Sequence, residues 1–371
     1  MTDRKASDLV DTLRELMLIP GPSGHEGLVR HAIRRRLEAL GLGVKTDRFG
    51  NLMTTLPGSD PAAPSVMLYA HMDQIGFFVR RVEANGLLRV ERLGGIPDRV
   101  LPATPLMLCR QGGAGLPAVF AVKSNHVTPE SEKLKGQSYL ELYVDAGFAD
   151  AAAAARAGVR IGTPVVYEPR SVRLDGDRIS GSSIDDRAGC AVVLEVAKAL
   201  AAPGSLKSTV HLVFSVQEEF NVRGAFVAAQ ALRPDIAIQL DIAIASDTPD
   251  VAELGEVALG RGPVISLYNF HGRGTLNGVI PHPELVRHVE MTADRTGIPL
   301  QRSAIVGVLT DNAYVQFAGE GVACLDLGIP CRYAHSPSEV ADLDDMRRLA
   351  ALLGAAISSM DGETSLDRDN P

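Results

Sequence analysis

Residues 66–73 read VMLYAHMD, an uninterrupted apolar run that ends in histidine, methionine and aspartate. A strand without polar residues is usually covered on both faces, as strands are in the centre of an α/β sheet. Ligands of such sheets bind beyond the carboxyl ends of the strands. The stretch therefore predicts an α/β fold, and it places His71 and Asp73 at the edge where a functional site is expected.

The second half of the chain continues this pattern, because apolar strand-like runs alternate there with helix-like segments. We expect strands at 210–216, 236–245 and 321–327, and helices at 186–201, 223–232, 283–296, 311–318 and 342–359. This alternation predicts a layered α/β domain with a mixed central sheet and helices on both of its faces.

Residues 75–168 have a different texture, with short strand-like runs, turns and no long helical pattern. The pair Asn85-Gly86 separates two such runs, at 75–79 and 87–90, and is a strong hairpin signal. Short strands joined by tight turns predict a small β-barrel-like unit in this part of the chain.

The length of 371 residues exceeds what one hydrophobic core usually covers, so two domains are expected. We assign the catalytic domain to residues 1–74 and 169–371, and the β-rich insert to residues 75–168. Apolar runs of the insert such as 75–79 would be partly uncovered in a monomer. This predicts that the insert is a dimerisation domain.

Composition and charge argue against several classes of partner. The chain carries 37 Lys and Arg against 45 Asp and Glu, a formal net charge of −8, whereas phosphate binding needs clustered basic residues. Its four cysteines have no C-x-x-C spacing, which suits reduced thiols. No apolar run approaches the ~20 residues of a membrane span, and residues 1–5 lack the apolar core of a signal peptide. These features predict a cytoplasmic protein that binds neither nucleic acid nor membranes.

Polar clusters recur at strand ends, or open the helix after a strand, in five separate parts of the chain. Strand-end topology would gather their two imidazoles and six carboxylates at one rim. Carboxylates so crowded repel one another, and divalent cations remove that cost. Imidazole and carboxylate ligands without thiolate suit zinc, cobalt or manganese. The clusters are His71-Met72-Asp73, Asp185-Asp186, Glu218-Glu219, Asp247 and His335.

Each cluster also has a purely structural explanation. Asp185 and Asp186 would suit the first turn of a helix, where they cap it and interact with its dipole. His71 would suit a strand end with its ring bonded to the backbone, and Asp247 would suit a turn. Recurrence of the pattern at five strand ends favours a metal site over five separate explanations.

The same segments resemble those of the tetrahedral aminopeptidase family of di-metal exopeptidases, also called the glutamyl aminopeptidase family. The resemblance covers nearly the whole chain, and it implies a hollow dodecamer that is built from dimers. The segments that carry it are PGPSG at 20–24, AHMDQIG at 70–76, DDRAGC at 185–190, VQEE at 216–219, SDTP at 246–249 and HSPSEV at 335–340.

The resemblance also implies a role for each polar residue. Glu218 would be the general base, and Asp73 would orient the imidazole of His71. The peptide bond between Asp185 and Asp186 would be cis. Two divalent ions per chain, zinc before cobalt or manganese, would be held by His71 and Asp247 on one ion, Glu219 and His335 on the other, and Asp185 bridging both.

The predicted function is the removal of the N-terminal residue from short peptides by a metal-activated water, with Glu218 as the base. Two alternatives stay open. One is a di-metal carboxypeptidase or deacylase-type amidohydrolase, which would need a basic residue aimed at the substrate's terminal carboxylate. The other is a catalytically silent assembly protein. The preferred N-terminal residue of the substrate does not follow from the sequence.

Overall fold

A computed structural model of the chain describes residues 2–110, 114–202, 206–272 and 277–369, with the backbone alone for residues 2–8. None of the helices described combines the length with the apolar character that crossing a bilayer requires. The helices are α1 (Thr2–Met17), α2 (Gly27–Ala39), α3 (Ala151–Arg156), α4 (Ile184–Leu200), α5 (Gly224–Leu232), α6 (Pro283–Thr296), α7 (Asn312–Val315) and α8 (Leu343–Ser358). The strands are β1 (Val44–Thr46), β2 (Leu52–Leu56), β3 (Val66–His71), β4 (Gly76–Val82), β5 (Leu88–Leu93), β6 (Pro105–Leu108), β7 (Leu116–Phe120), β8 (Val144–Asp145), β9 (Pro164–Tyr167), β10 (Ser171–Arg173), β11 (Arg178–Gly181), β12 (Val210–Ser215), β13 (Ile236–Ile244), β14 (Val264–Phe270), β15 (Gly278–Val279), β16 (Gln301–Val306), β17 (Ala323–Arg332) and β18 (Glu339–Asp342).

The apolar strand β3 lies within a mixed sheet that has twelve strands among the described residues. Strand β3 is parallel to its neighbours β12 and β13, and β13 is parallel to β17. These four strands therefore end at the same edge of the sheet. Antiparallel strands β2 and β18 flank this parallel centre. The predicted layered α/β fold with a mixed central sheet is confirmed.

Strand β3 is covered on both faces, as its composition predicts. Val66, Leu68 and Ala70 pack into the core cluster that also includes buried residues of α1, α4 and α8. Met67 and Tyr69 point the other way and pack with α5 and α7. Alternate side chains of a strand face opposite sides of the sheet, and burial of a large apolar side chain stabilises the fold by about 1.5–3 kcal/mol. This explains why the run has no polar residue before its end.

Strands β4, β5, β8, β7, β6 and β9 close into a barrel, which confirms the predicted β-barrel-like unit. Its interior holds an aromatic cluster. Phe77 packs edge-on against Phe120 and Tyr167, with ring centroids 5.1 Å and 6.4 Å away. Such edge-to-face pairs contribute about 0.5–1.5 kcal/mol beyond the burial of their area.

The prediction that the apolar run at 75–79 would be exposed is wrong. Ile75, Phe77 and Val79 are buried in the barrel interior. Closure of the barrel pairs the edges of its sheet and turns alternate side chains inward. We still propose the division into a catalytic domain and an inserted dimerisation domain, but other surface residues of the barrel would have to form the contact.

Helices α4, α5, α6 and α8 begin and end within about two residues of their predicted positions, the usual uncertainty of helix ends. Helix α7 is shorter than predicted, because the amides of Phe317 and Ala318 bond to carbonyls three residues earlier, those of Tyr314 and Val315, rather than four residues earlier as in an α-helix. Strand β17 is longer than predicted. It continues to Arg332 because Cys331 still pairs with β13 and Arg332 pairs with β18.

Candidate metal centre

The carboxyl ends of the parallel strands bring four of the predicted clusters to one edge of the sheet. His71 is the last residue of β3, and it pairs in the parallel register with the last residue of β12. Glu218 and Glu219 follow β12, Asp185 lies at the start of α4, and His335 follows β17. Residues far apart in the sequence therefore meet at the edge where the strand pattern placed them.

The first group of candidate ligands consists of His71, Asp185 and Asp241. The Nε2 atom of His71 lies 3.0 Å from Oδ1 of Asp185. One ligand atom from each of the three residues lies within 4.8 Å of the other two. Gln239 pairs with Tyr69 in the parallel register of β13 and β3, so Asp241, two residues further on, is level with His71.

The second group consists of Asp185, Glu219 and His335. The Nε2 atom of His335 lies 3.4 Å from Oδ2 of Asp185 and 3.5 Å from Oε2 of Glu219. Asp185 belongs to both groups, and it turns one carboxylate oxygen toward each. A carboxylate in this position is suited to bridge two cations.

Both imidazoles are held at Nδ1 by a main-chain carbonyl. The Nδ1 atom of His71 lies 3.1 Å from the carbonyl oxygen of Asp73, and that of His335 lies 2.7 Å from the carbonyl oxygen of Gly95. A Cβ atom at Gly95 would lie 3.3 Å from the ring of His335, so a glycine allows this close approach. With the proton on Nδ1, each ring directs the lone pair of Nε2 toward the carboxylates, as metal-binding histidines usually do.

Asp73 holds the main chain of the adjacent glutamates. Its carboxylate accepts hydrogen bonds from the amides of Glu218 and Glu219, at 3.0 Å and 3.2 Å, and from the hydroxyl of Ser23 at 2.6 Å. The carboxylate lies 3.6 Å from Nδ1 of His71, whereas the carbonyl oxygen of Asp73 lies closer. Asp73 therefore contacts His71 mainly through its backbone and contacts the glutamates through its side chain.

The cluster concentrates negative charge away from water. Burial raises the pKa values of Glu218 and Asp241 well above their usual range, and it raises the pKa of Glu219 to about 7. Burial alone would also raise the pKa of Asp185. The two imidazoles beside it, when both of their ring nitrogens carry a proton, outweigh burial and lower that pKa. The buried Oε1 atom of Glu219 has no hydrogen-bond partner among the described residues. Nitrogen and oxygen donors, excess negative charge and an unpartnered oxygen fit divalent cations.

Asp247 does not lie with His71, contrary to the prediction. Its Oδ1 and Oδ2 atoms accept hydrogen bonds from Nε and Nη2 of Arg332, at 2.7 Å and 2.6 Å. Oδ2 also accepts one from the amide of Leu259 at 3.1 Å. Both oxygens are thus engaged, and the group of candidate ligands at His71 contains Asp185 and Asp241 rather than Asp247.

The position of Asp241 explains why the sequence pattern failed there. The prediction relied on strand ends, but β13 runs from Ile236 to Ile244 and carries Asp241 in its interior. A charged residue inside the otherwise apolar run IAIQLDIAI is the signal that could have identified it. Burying a charge is costly unless a partner compensates it.

Asp186 fits the structural explanation rather than metal binding. Its Oδ1 atom accepts a hydrogen bond from the amide of Gly189 at 2.8 Å, as a helix cap does. The backbone angles of Asp185 and Asp186 are not helical, so regular helix begins after them. The peptide bond between the two aspartates is cis, as the resemblance implied.

Glu339 was given no role in the predicted site, although it lies in the segment HSPSEV. Its side chain is buried, and its Oε2 and Oε1 atoms accept hydrogen bonds from the amides of Asp185 and His335, at 3.2 Å and 2.9 Å. Burial and the charge of Asp185 raise the pKa of Glu339 to about 8. A glutamate four residues after a candidate ligand histidine was the available signal.

Comparisons with known proteins show which proteins the chain resembles. A sequence profile of the M42 glutamyl aminopeptidase family matches residues 50–352. The chain is 39% identical to the putative aminopeptidase SgcX of Escherichia coli K12, over 93% of each chain. It is 32% identical to a lysyl aminopeptidase of Pyrococcus furiosus, over 94% of this chain and 97% of the relative. It also superposes on the TET1 peptidase of Pyrococcus horikoshii, which can assemble into a tetrahedron or a large octahedral shell, with a TM-score of 0.84 and 28% identity over 94% of this chain and 99% of that one.

Proposed function

The chain belongs to the M42 glutamyl aminopeptidase family, and from that premise we propose that it releases the N-terminal residue of short peptides with two bound divalent cations and Glu218 as the base. It is a metallo-aminopeptidase of this family. The observation that carries the proposal is the position of Asp185, whose two carboxylate oxygens face two separate groups of ligands. A single bridging carboxylate between two ligand groups is what a two-metal hydrolase needs.

We assign the ligands by the two groups. His71 and Asp241 would hold one cation, Glu219 and His335 the other, and Asp185 both, so that Asp241 replaces Asp247 in the predicted set. When bound, the cations would polarise the scissile carbonyl and lower the pKa of the attacking water. We retain zinc as the first candidate, with cobalt and manganese as alternatives, because the set combines imidazole and carboxylate without thiolate.

Glu218 is placed to accept the proton of the attacking water. Its Oε2 atom lies 3.9 Å from Nε2 of His71, at the edge of the first ligand group, and it belongs to neither group. Asp73 fixes its main chain through the hydrogen bond to its amide. As the peptide bond breaks, the same Oε2 atom would return the proton to the leaving amine.

The free amino group of the substrate would fill an open metal position or contact a nearby carboxylate, which favours a substrate with a free amino terminus. A carboxypeptidase would instead need a free basic side chain at the site. Arg332, three residues before His335, is bound at two atoms by Asp247 and is therefore neutralised. This pairing favours the aminopeptidase over the carboxypeptidase or deacylase alternative.

A comparison of free and N-acetylated substrates tests the proposal. We expect an aminoacyl anilide with a free amine to be cleaved and its N-acetylated form to be left intact. Chelated protein should be inactive, and zinc, cobalt or manganese should restore turnover as about two ions bind per chain. Release of anilide and metal analysis measure both quantities.

Equal cleavage of the acetylated substrate would instead identify an amidohydrolase without a requirement for the amine. Protein that binds two ions but turns over no free-amine substrate in a broad panel would be an assembly protein. Protein that binds no metal after cobalt or zinc is added would contradict the site itself.

We propose that the barrel forms dimers and that these dimers build a dodecamer in the cytoplasm. The segment between β7 and β8 exposes large apolar side chains, with Val127 70%, Leu134 98% and Leu140 50% accessible. Large apolar side chains on a surface commonly mark an interface. Four cysteines without disulfides, three of them buried, suit a reducing compartment. The assembly of the Pyrococcus relative into a tetrahedron supports the same proposal by similarity.

Multi-angle light scattering at micromolar concentration tests the assembly. We expect a mass of about twelve chains, or of two chains where the dimers separate. Covering the exposed apolar residues in an interface removes them from water and stabilises the assembly. Charged substitutions at Leu134 and Val127 should shift the mass toward the monomer. A wild-type protein that is strictly monomeric under these conditions would contradict the proposal.

A further inference from the structure

The buried carboxylate of Glu339 accepts hydrogen bonds from the backbone amides of two residues of the candidate metal centre. Glu339 begins β18, and its side chain is 2% exposed. Oε2 accepts the amide hydrogen of Asp185, and Oε1 accepts that of His335. Both oxygens are thus occupied by N–H groups, and Glu339 is not among the candidate ligands.

The two amides belong to residues on different elements. Asp185 lies at the start of α4, whereas His335 lies in the loop after β17. His335 has a φ angle of 63°, in the left-handed region that non-glycine residues seldom adopt. Its main chain therefore needs a specific partner, and the carboxylate of Glu339 supplies one while it also holds Asp185.

Asp73 makes the same kind of contact with two other residues of the site, because its carboxylate accepts hydrogen bonds from the amides of Glu218 and Glu219. Two buried carboxylates thus hold the main chains of four site residues. Burying a carboxylate costs free energy unless hydrogen bonds compensate it. A buried carboxylate whose two oxygens both accept hydrogen bonds from candidate ligand residues is therefore suited to position those residues.

We propose that Glu339 is a positioning residue, which holds Asp185 and His335 at the separation at which their side chains share the second cation. The proposal rests on the two-metal function proposed above. Hydrogen-bond partners of metal ligands typically contribute a factor of 10–100 to metal affinity. Loss of Glu339 should therefore selectively weaken the binding of the cation at the group of Asp185, Glu219 and His335. The cation at His71 and Asp241 should stay bound.

The variant Glu339→Gln keeps the shape of the side chain but replaces one acceptor oxygen with the NH2 group of an amide. This group cannot accept a hydrogen bond from the second backbone amide. The chain offers a matched control in Asp345, a buried carboxylate that also accepts two amides, those of Gly260 and Gly262, both at 2.7 Å. Neither glycine is a candidate ligand. Asp345→Asn therefore removes an equivalent hydrogen bond away from the site.

Titration of the metal-free full-length proteins with cobalt, followed by visible absorption, tests the proposal. Asp345→Asn should bind two equivalents of cobalt, as wild type does, and its affinity for each should be similar to that of wild type. Glu339→Gln should bind one equivalent normally and the second about 10–100-fold more weakly, and turnover should recover as excess cobalt fills that site. Binding of both equivalents as tightly as in Asp345→Asn, or equal weakening of both, would overturn the proposal.

Should Glu339→Gln fail to fold, Glu339→Asp decides the question, because it keeps the charge but is too short to reach both amides. The same selective weakening is then expected, and unaltered binding of both ions would overturn the role of Glu339. A wild-type protein that binds fewer than two equivalents would contradict the proposed two-metal function itself, which separates the two failures.

Discussion

Replacing Glu218 by glutamine is expected to lower kcat by about two to four orders of magnitude, the usual contribution of general acid–base catalysis. The amide keeps the size of the side chain but cannot accept a proton from the attacking water. Metal content and oligomeric state should not change, because Glu218 belongs to neither ligand group. Steady-state kinetics on a free-amine substrate and metal analysis of the same sample measure the two effects.

Glu219→Gln is the matched control for this variant. The neighbouring glutamate lies 3.5 Å from Nε2 of His335 and belongs to the second ligand group, so this change should cost one ion as well as activity. If Glu218→Gln kept a near-normal kcat, or lost metal as Glu219→Gln does, the division of roles between the two glutamates would be wrong.

Replacing Asp241 by asparagine is expected to lower kcat/KM by roughly a hundred- to a thousandfold. The neutral amide removes the charge that helps to hold one cation, and a bound cation supplies several kcal/mol of transition-state stabilisation. Metal content should fall toward one ion per chain. Excess cobalt should restore part of the activity by mass action, which kinetics at increasing metal concentration would measure.

Asp247→Asn is the control that distinguishes the ligand assigned from the structure, Asp241, from the ligand predicted from the sequence, Asp247. Asp247 pairs with Arg332, and both side chains are about one-fifth exposed. Loss of such a pair typically costs about 1 kcal/mol or less. We expect two ions per chain and a kcat/KM within about a factor of five of wild type. Loss of an ion from Asp247→Asn, with none lost from Asp241→Asn, would restore the original assignment.

The fold could be predicted from the sequence because its signals are local. The apolar run of β3 lies in contact with both layers of helices, and its composition indicates this without knowledge of its neighbours. Helix α6 begins and ends as predicted because Pro283 opens it and Gly297, at a φ angle of 68°, ends it. The burial of Phe77 was not predictable in this way, since it depends on the closure of the barrel.

The candidate site could be predicted where ligands follow strand ends, as His71 does. It could not be predicted for Asp241, because its position depends on how far β13 continues beside β3 and on their register. The contacts of Glu339 with the site could not be predicted for a related reason. Its contacts are with backbone amides of Asp185 and His335, and a sequence pattern does not indicate which amides a buried carboxylate will meet.

The carbonyl of Gly95 makes the barrel a part of the candidate metal centre, because it contacts His335. Gly95 lies in the loop after β5, and it accepts the Nδ1 hydrogen of His335 at 2.7 Å. A minimal enzyme made by excising the barrel would leave this imidazole free to rotate and to exchange tautomers. The same contact would constrain evolution, because an inserted unit that supplies a hydrogen bond to a candidate metal ligand could not be exchanged between relatives without a replacement acceptor.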